Sequence, residues 1–278
     1  DLVKVATNDG MPALALTDLS NLHAAVKFYE KCLKSGIKPI LGMETYVAAR
    51  TRFDRDPNHD KPRYHLTLLA KNEAGWKNLS MLSTKANLEG MYYKPRIDHD
   101  LMKECSEGII CLSGCAGSEI SDALKNDDYE KALEHAKWYK SVYNDDFYLE
   151  LQDHGHPDCP NHWDVQEKIN KGLFKINKEL GIPLVVTCDS HYLTHENQDA
   201  HEILLCVGTG SYLSDEKRMS LKEFDLFVTD PRDIIKRWGK IDPQIILNTK
   251  EVADKVNFEF NFGQILIPKF PLPEGEVS

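Results

Sequence analysis

Six short runs rich in Val, Ile and Leu recur along the chain up to about residue 190, separated by longer amphipathic stretches. The runs are Ala13 to Thr17, Pro39 to Val47, His65 to Ala70, Gly108 to Leu112, Phe147 to Leu151 and Pro183 to Thr187. Asn21 to Ser35, Tyr129 to Val142 and Trp163 to Leu180 repeat apolar residues at helical spacing, and Gly36 and Gly181 follow two of them where a C′ glycine belongs. Strand and helix in alternation predict βα units on a mainly parallel sheet. This many strands in so short a span favours a barrel over an open sheet.

Two segments depart from this rhythm. Arg50 to Arg63 is charged and carries Pro57 and Pro62, so it reads as a surface excursion. Beyond about Tyr212 the alternation fades, and Leu226 to Thr229 with helices from Pro231 and Pro243 reads as an α-rich extension over 212–266. Residues 267–278 are proline-rich and read as an exit segment toward a further domain. The chain opens on a helical pattern, Leu2, Val3, Val5 and Ala6, where a βα barrel opens on a strand. A missing central strand would cost on the order of 10 kcal/mol of buried side chains, comparable with a whole domain's stability. The expectation is a window on a longer chain, with the first strand upstream.

Charge and cysteine use narrow the class. The net charge is −10, which argues against gripping nucleic acid by bulk electrostatics. No run approaches the ~18 apolar residues of a membrane span. Seven cysteines without a CxxC pair speak against a disulfide framework and for a reducing cytoplasm.

Ligands of parallel α/β folds bind at the carboxyl ends of strands. Those ends carry Asp18, then Glu44 inside its run, then Cys115, then Asp153 and His154, then Asp189 and His191. Asp, Glu, His and Cys are a metal-ligand vocabulary. Asp18 also fits a turn or helix cap, and Cys115 alone fits a buried thiol. Glu44 is harder to dismiss, because a buried carboxylate is costly unless paired or coordinated. His65 heads its run and so belongs to the opposite end of that strand or just before it. His23, His135, His162 and His195 lie in helical or loop contexts and read as structural. Asp189 and His191, at alternate positions, can reach one cation.

The ordered set Leu16-Thr-Asp18, Gly42-Met-Glu44, His65-Leu-Thr-Leu-Leu-Ala-Lys-Asn, Leu112-Ser-Gly-Cys115 and Asp189-Ser-His191-Tyr192 resembles the polymerase and histidinol phosphatase (PHP) domain. Gly75-Trp-Lys-Asn-Leu, Tyr92-Tyr-Lys-Pro-Arg96, His201-Glu-Ile-Leu-Leu-Cys and Ile267-Pro-Lys-Phe-Pro bring the resemblance closer, to the PHP domains of bacterial replicative DNA polymerase III α subunits. The resemblance implies a distorted (β/α)7 barrel over 1–211. It implies divalent ions (Zn, Mn or Mg) held by Glu44, His65, Cys115, Asp189 and His191, with Asp18 and His154 nearby. Metal-assisted phosphoester hydrolysis, as 3′→5′ exonuclease activity, would follow. Tyr92, Tyr93, Lys94 and Arg96 would offer stacking and cationic contacts to a nucleic-acid strand, and the same segment fits equally an ordinary surface loop against a neighbouring domain. The implied partners are the remainder of the polymerase, a proofreading exonuclease and DNA.

Two departures weaken the centre. The family's His-x-His motif lies upstream of residue 1, and Thr17-Asp18-Leu19 stands where the family reads Thr-Asp-His. The expectation is partial metal occupancy or none, with little or no hydrolysis. Three readings stay open: a PHP domain with residual metal chemistry, a catalytically inactive scaffold, or a free-standing phosphoesterase. Nothing in the chain resembles a polymerase active site.

Overall fold

The computed structural model describes residues 1–154, 164–265 and 267. His162, Trp163 and the proline-rich segment other than Ile267 lie outside the described residues. Seven strands form one sheet: β1 (Ala13–Leu16), β2 (Lys38–Ala48), β3 (Arg63–Ala70), β4 (Arg96–Ile97), β5 (Ile109–Leu112), β6 (Phe147–Gln152) and β7 (Leu184–Thr187). The described helices are α1 (Leu2–Asn8), α2 (Ala25–Lys34), α3 (Glu73–Leu88), α4 (His99–Glu104), α5 (Glu119–Lys125), α6 (Tyr129–Tyr143), α7 (Asp164–Leu180), α8 (Gln198–Thr209), α9 (Pro231–Ile241) and α10 (Pro243–Lys255). The helix starts are written locally. Asn72, Asp98, Ser118, Asp128, Asp230 and Asp242 each accept a backbone N–H of the turn they cap, and proline opens α9 and α10.

The strand order is β1-β2-β3-β5-β6-β7, with β4 on the far side of β2 from β3. Among the described residues β1 and β7 do not pair, so the sheet curls into a distorted α/β barrel open at that seam. The expectation of a mainly parallel sheet holds for four of the six strand pairings, and one strand is reversed. β3 runs antiparallel to both β2 and β5, while β1–β2, β2–β4, β5–β6 and β6–β7 are parallel. The cause lies in the β2–β3 connection. Residues 49–62 contain no helix, and without a crossover element the chain returns beside β2 in the opposite sense.

Strand alternation divides the two faces. Leu68, Cys111, Leu149 and Leu184 join the cluster under α3 to α7. Their neighbours Ile40, Leu69, Ile110, Leu112, Tyr148 and Val185 join a second cluster with Val252 and Val256 from the end of α10. The second set is the barrel interior, and α10 closes its floor. Asn248 donates to the Leu184 carbonyl at 2.8 Å and Lys38 to that of Ala253 at 2.6 Å. Phe258 and Phe260 then pack on Trp76 of α3. The α-rich extension thus shares cores with the barrel. No helix among the described residues is long and apolar enough to cross a membrane.

Candidate metal centre

Above the apolar floor, inward-facing positions turn polar. On β2 the parity that points Ile40 inward also points Glu44 inward; on β3 it selects Leu69, Thr67 and His65; on β6 it selects Tyr148, Glu150 and Gln152. Because β3 is antiparallel, its first residues lie at the level of the last residues of β2: His65 pairs with Tyr46, and Glu44 with Thr67. The diagonal pair Glu44 and His65 therefore meets, with Nδ1 of His65 2.6 Å from Oε1 of Glu44.

Cys115 arrives from the loop after β5. Its Sγ lies 3.4 Å from Nδ1 of His65 and 3.8 Å from Oε1 of Glu44. The loop is tied down at both ends. Gly117 N–H donates to Sγ at 3.3 Å, and the Gly117 carbonyl accepts from His65 N–H at 3.1 Å. Gly114 takes φ +82°, and a Cβ there would stand 2.7 Å from the His65 carbonyl oxygen, so this approach requires glycine. One ligand atom from each of Glu44, His65 and Cys115 falls within 4.8 Å of the others.

Asp189 and His191 fall outside this trio; Asp189 is near enough to act on Cys115, and His191 lies beside Asp189. Asp189 adopts φ +43°, an uncommon backbone state for a non-glycine residue. Nδ1 of His191 lies 2.7 Å from the Asp189 carbonyl oxygen and 4.0 Å from its Oδ1. The His191 backbone N–H donates to Leu226 O at 2.7 Å.

The electrostatics are those of crowded acids. Burial, then Glu44 and Asp189, push the Cys115 thiol well above its usual range. Burial and Glu44 likewise raise Asp189, opposed by His191, His65 and a hydrogen bond from Gln152. Glu150, fully inside the barrel, is pushed up to about 7, chiefly by burial.

The other expected residues distribute differently. Asp18 sits half-buried beyond β1, raised by burial and opposed by His23, outside the trio. His154 is buried, with Nε2 2.6 Å from Oε1 of Gln152 and Nδ1 without a hydrogen-bond partner among the described residues. Gln152 bonds Asp189 in turn, so His154 reaches the mouth through one amide. Tyr93 and Lys94 are exposed, and Tyr92 is partly so. Arg96 requires correction as a nucleic-acid contact. It is fully buried. Its guanidinium donates to the carbonyls of Gly90, Asp60, Arg52 and Asp54, stitching residues 49–62 to the β4 segment.

Glu150 and Gln152 escaped the motif reading. Glu150 carries the signal that singles out Glu44, an acid inside an apolar run, and its inward parity follows from Tyr148 two residues earlier. The donor set of carboxylate oxygen, imidazole nitrogen and thiol sulfur fits a borderline cation such as Zn²⁺. The acids around it lack a matching excess of positive charge that a divalent ion supplies. Glu44, His65 and Cys115 would hold it directly, with Asp189 acting on Cys115 from nearby and His191 beside Asp189.

Comparison with known proteins agrees with this architecture. The PHP domain family matches residues 1–154, more than half of the chain. DNA polymerase III subunit alpha of Borreliella burgdorferi is 38% identical over 275 residues, covering 98% of this chain and 23% of that protein. The Treponema pallidum subunit is 39% identical over 274 residues, with 98% and 23% coverage. The Thermus aquaticus subunit is 38% identical over 277 residues, with 96% and 22% coverage. The chain thus spans under a quarter of these relatives. By its ordered motifs, its curled mixed sheet and its sequence match, the chain belongs to the PHP domain family.

Proposed function

We propose that this chain is the PHP domain of a bacterial replicative DNA polymerase α subunit, acting in the cytoplasm within DNA replication. The observation that carries the metal reading is the convergence of Glu44 from within β2, His65 from the start of β3 and Cys115 from the loop after β5. Similarity across nearly the whole chain to subunits of that name supports the parent assignment. Residues 1–211 form the barrel unit and 212–266 the extension that floors it. Residues 267–278 lead to the parent's polymerase domain, where nucleotidyl transfer resides.

A divalent cation held at the mouth supplies Lewis acidity toward a phosphodiester. The chain's own groups bind and orient: Glu44 and Cys115 provide anionic donors and His65 an imidazole donor, Asp189 lies near Cys115, and His191 is aimed by its bond to the Asp189 carbonyl. Tyr92, Tyr93 and Lys94 provide an exposed aromatic and cationic surface for a single strand, and a separate proofreading exonuclease is a partner of the assembly. Leu19 favours a second reading, an inactive scaffold, because its backbone is bridged to that of Glu44 where the family's motif carries histidine.

Metal content and activity test both. The purified chain is expected to take up cation at partial occupancy, to lose that uptake in Glu44→Ala with Cys115→Ala, and to extend no primer on a DNA template. Robust cleavage of single-stranded DNA, abolished by Asp189→Ala, would favour the hydrolytic reading over the scaffold. A chain that takes up no Zn²⁺, Mn²⁺ or Mg²⁺ removes the metal reading.

A further inference from the structure

The two ligand-bearing loops that supply Cys115 and Asp189 do not come from adjacent strands. Cys115 follows β5 and Asp189 follows β7, and β6 lies between them. Two strand spacings separate them, roughly 9–10 Å, so their relative position is transmitted through β6. One side chain of β6 touches both. Oε1 of Glu150 accepts from the Thr187 hydroxyl at 2.7 Å, and Oε2 accepts from Gly114 N–H at 3.1 Å. Thr187 lies two residues before Asp189, and Gly114 immediately precedes Cys115.

We infer that Glu150 is a positioning residue whose single carboxylate brackets the Cys115 and Asp189 loops and sets the spacing of the cation site. The inference rests on the metal reading proposed above. Glu150 is almost wholly buried. Its own N–H donates to Ser113 Oγ at 2.8 Å, and Ser113 N–H donates to Tyr148 O at 3.0 Å. The bracket is thus anchored at its base to the same loop that it steers at its tip. Removing the carboxylate leaves the Gly114 N–H and the Thr187 hydroxyl without this partner, at the positions where each loop turns toward the cluster. Glutamine can replace it in kind. Its amide oxygen accepts from Gly114 N–H, and its NH₂ donates to the Thr187 hydroxyl, which accepts as readily as it donates.

Cobalt is the probe. The metal-free 278-residue chain is titrated with Co²⁺ while the thiolate-to-cobalt charge-transfer band and the visible d–d bands are recorded. Each variant is checked for native circular dichroism. The unsubstituted chain is expected to show a thiolate band. Glu150→Gln should bind within a few-fold of it, with the same band. Glu150→Ala should bind about tenfold or more weakly, with an altered band. Thr187→Val, which removes one arm only, should fall between, and it carries the test if the alanine variant does not fold. Folded Glu150→Ala or Thr187→Val with unchanged affinity and spectrum overturns the bracket alone. An unsubstituted chain that binds no Co²⁺ overturns the metal reading and the bracket together.

Discussion

Leu19 is the parallel backbone partner of Glu44. The register that pairs Leu16 with Leu41 at the end of β1 continues three residues further to a bridge between Leu19 and Glu44, and Ser20 N–H donates to Glu44 O at 2.7 Å. An exposed apolar side chain therefore stands beside the carboxylate of the cation site. Leu19→His places an imidazole there. Zn²⁺ affinity, measured against a chelator, is expected to rise about tenfold, equivalent to about 1.4 kcal/mol. Unchanged affinity would mean that the side chain at 19 does not reach the site.

Cation uptake depends on pH in a set direction. Burial, Glu44 and Asp189 hold the Cys115 thiol protonated at neutral pH, whereas a bound cation needs the thiolate. Binding therefore expels a proton, and raising the pH strengthens it by up to about tenfold per unit for each proton released. Calorimetry in buffers of different ionisation enthalpy is expected to show that release, and Cys115→Ser to reduce it by one proton.

The metal-free fold should weaken on the acid side through His154. Burial, with His191 acting in the same sense, pushes this imidazole down to about 4. In the unfolded chain it titrates near about 6.5. Between those values the unfolded state binds more protons, so its contribution is complete above about pH 6.5 and is lost as pH falls toward 4. Unfolding free energies from urea titrations should fall across that window, by up to on the order of 3 kcal/mol from this group. His154→Gln, which keeps a donor toward Gln152, should flatten the slope; an unchanged slope would assign the loss to other groups.

Arg96 should matter for stability rather than for DNA. Arg96→Ala strands the carbonyls of Asp60, Arg52 and Asp54, the Gly90 carbonyl keeping the residue's backbone N–H, and empties a buried volume, so the loss should be about 3 kcal/mol or more. Tyr93→Ala, at an exposed site, should cost under about 1 kcal/mol. Chemical denaturation separates the two. Comparable small losses would contradict the buried network.

Much of the fold was legible because its signals are local. The apolar runs before Thr17, Leu112, Leu151 and Thr187 mark strands by composition alone, and the Asp-Pro pairs at 230–231 and 242–243 mark helix starts by capping chemistry. Glu44, His65 and Cys115 stood out for the same reason, as polar groups at the ends or centres of apolar runs. What stayed hidden depends on relations between segments. A run such as His65 to Ala70 reads alike in either direction, so only its pairing with β2 and β5 decides that His65 lies at the mouth. A basic residue in a polar loop reads as exposed, and only the carbonyls gathered around Arg96 make it internal. The separation of Cys115 from Asp189 is written in neither strand. It follows from β6 standing between them with Glu150 turned inward, because side-chain parity is local while the neighbour it meets is set by strand order.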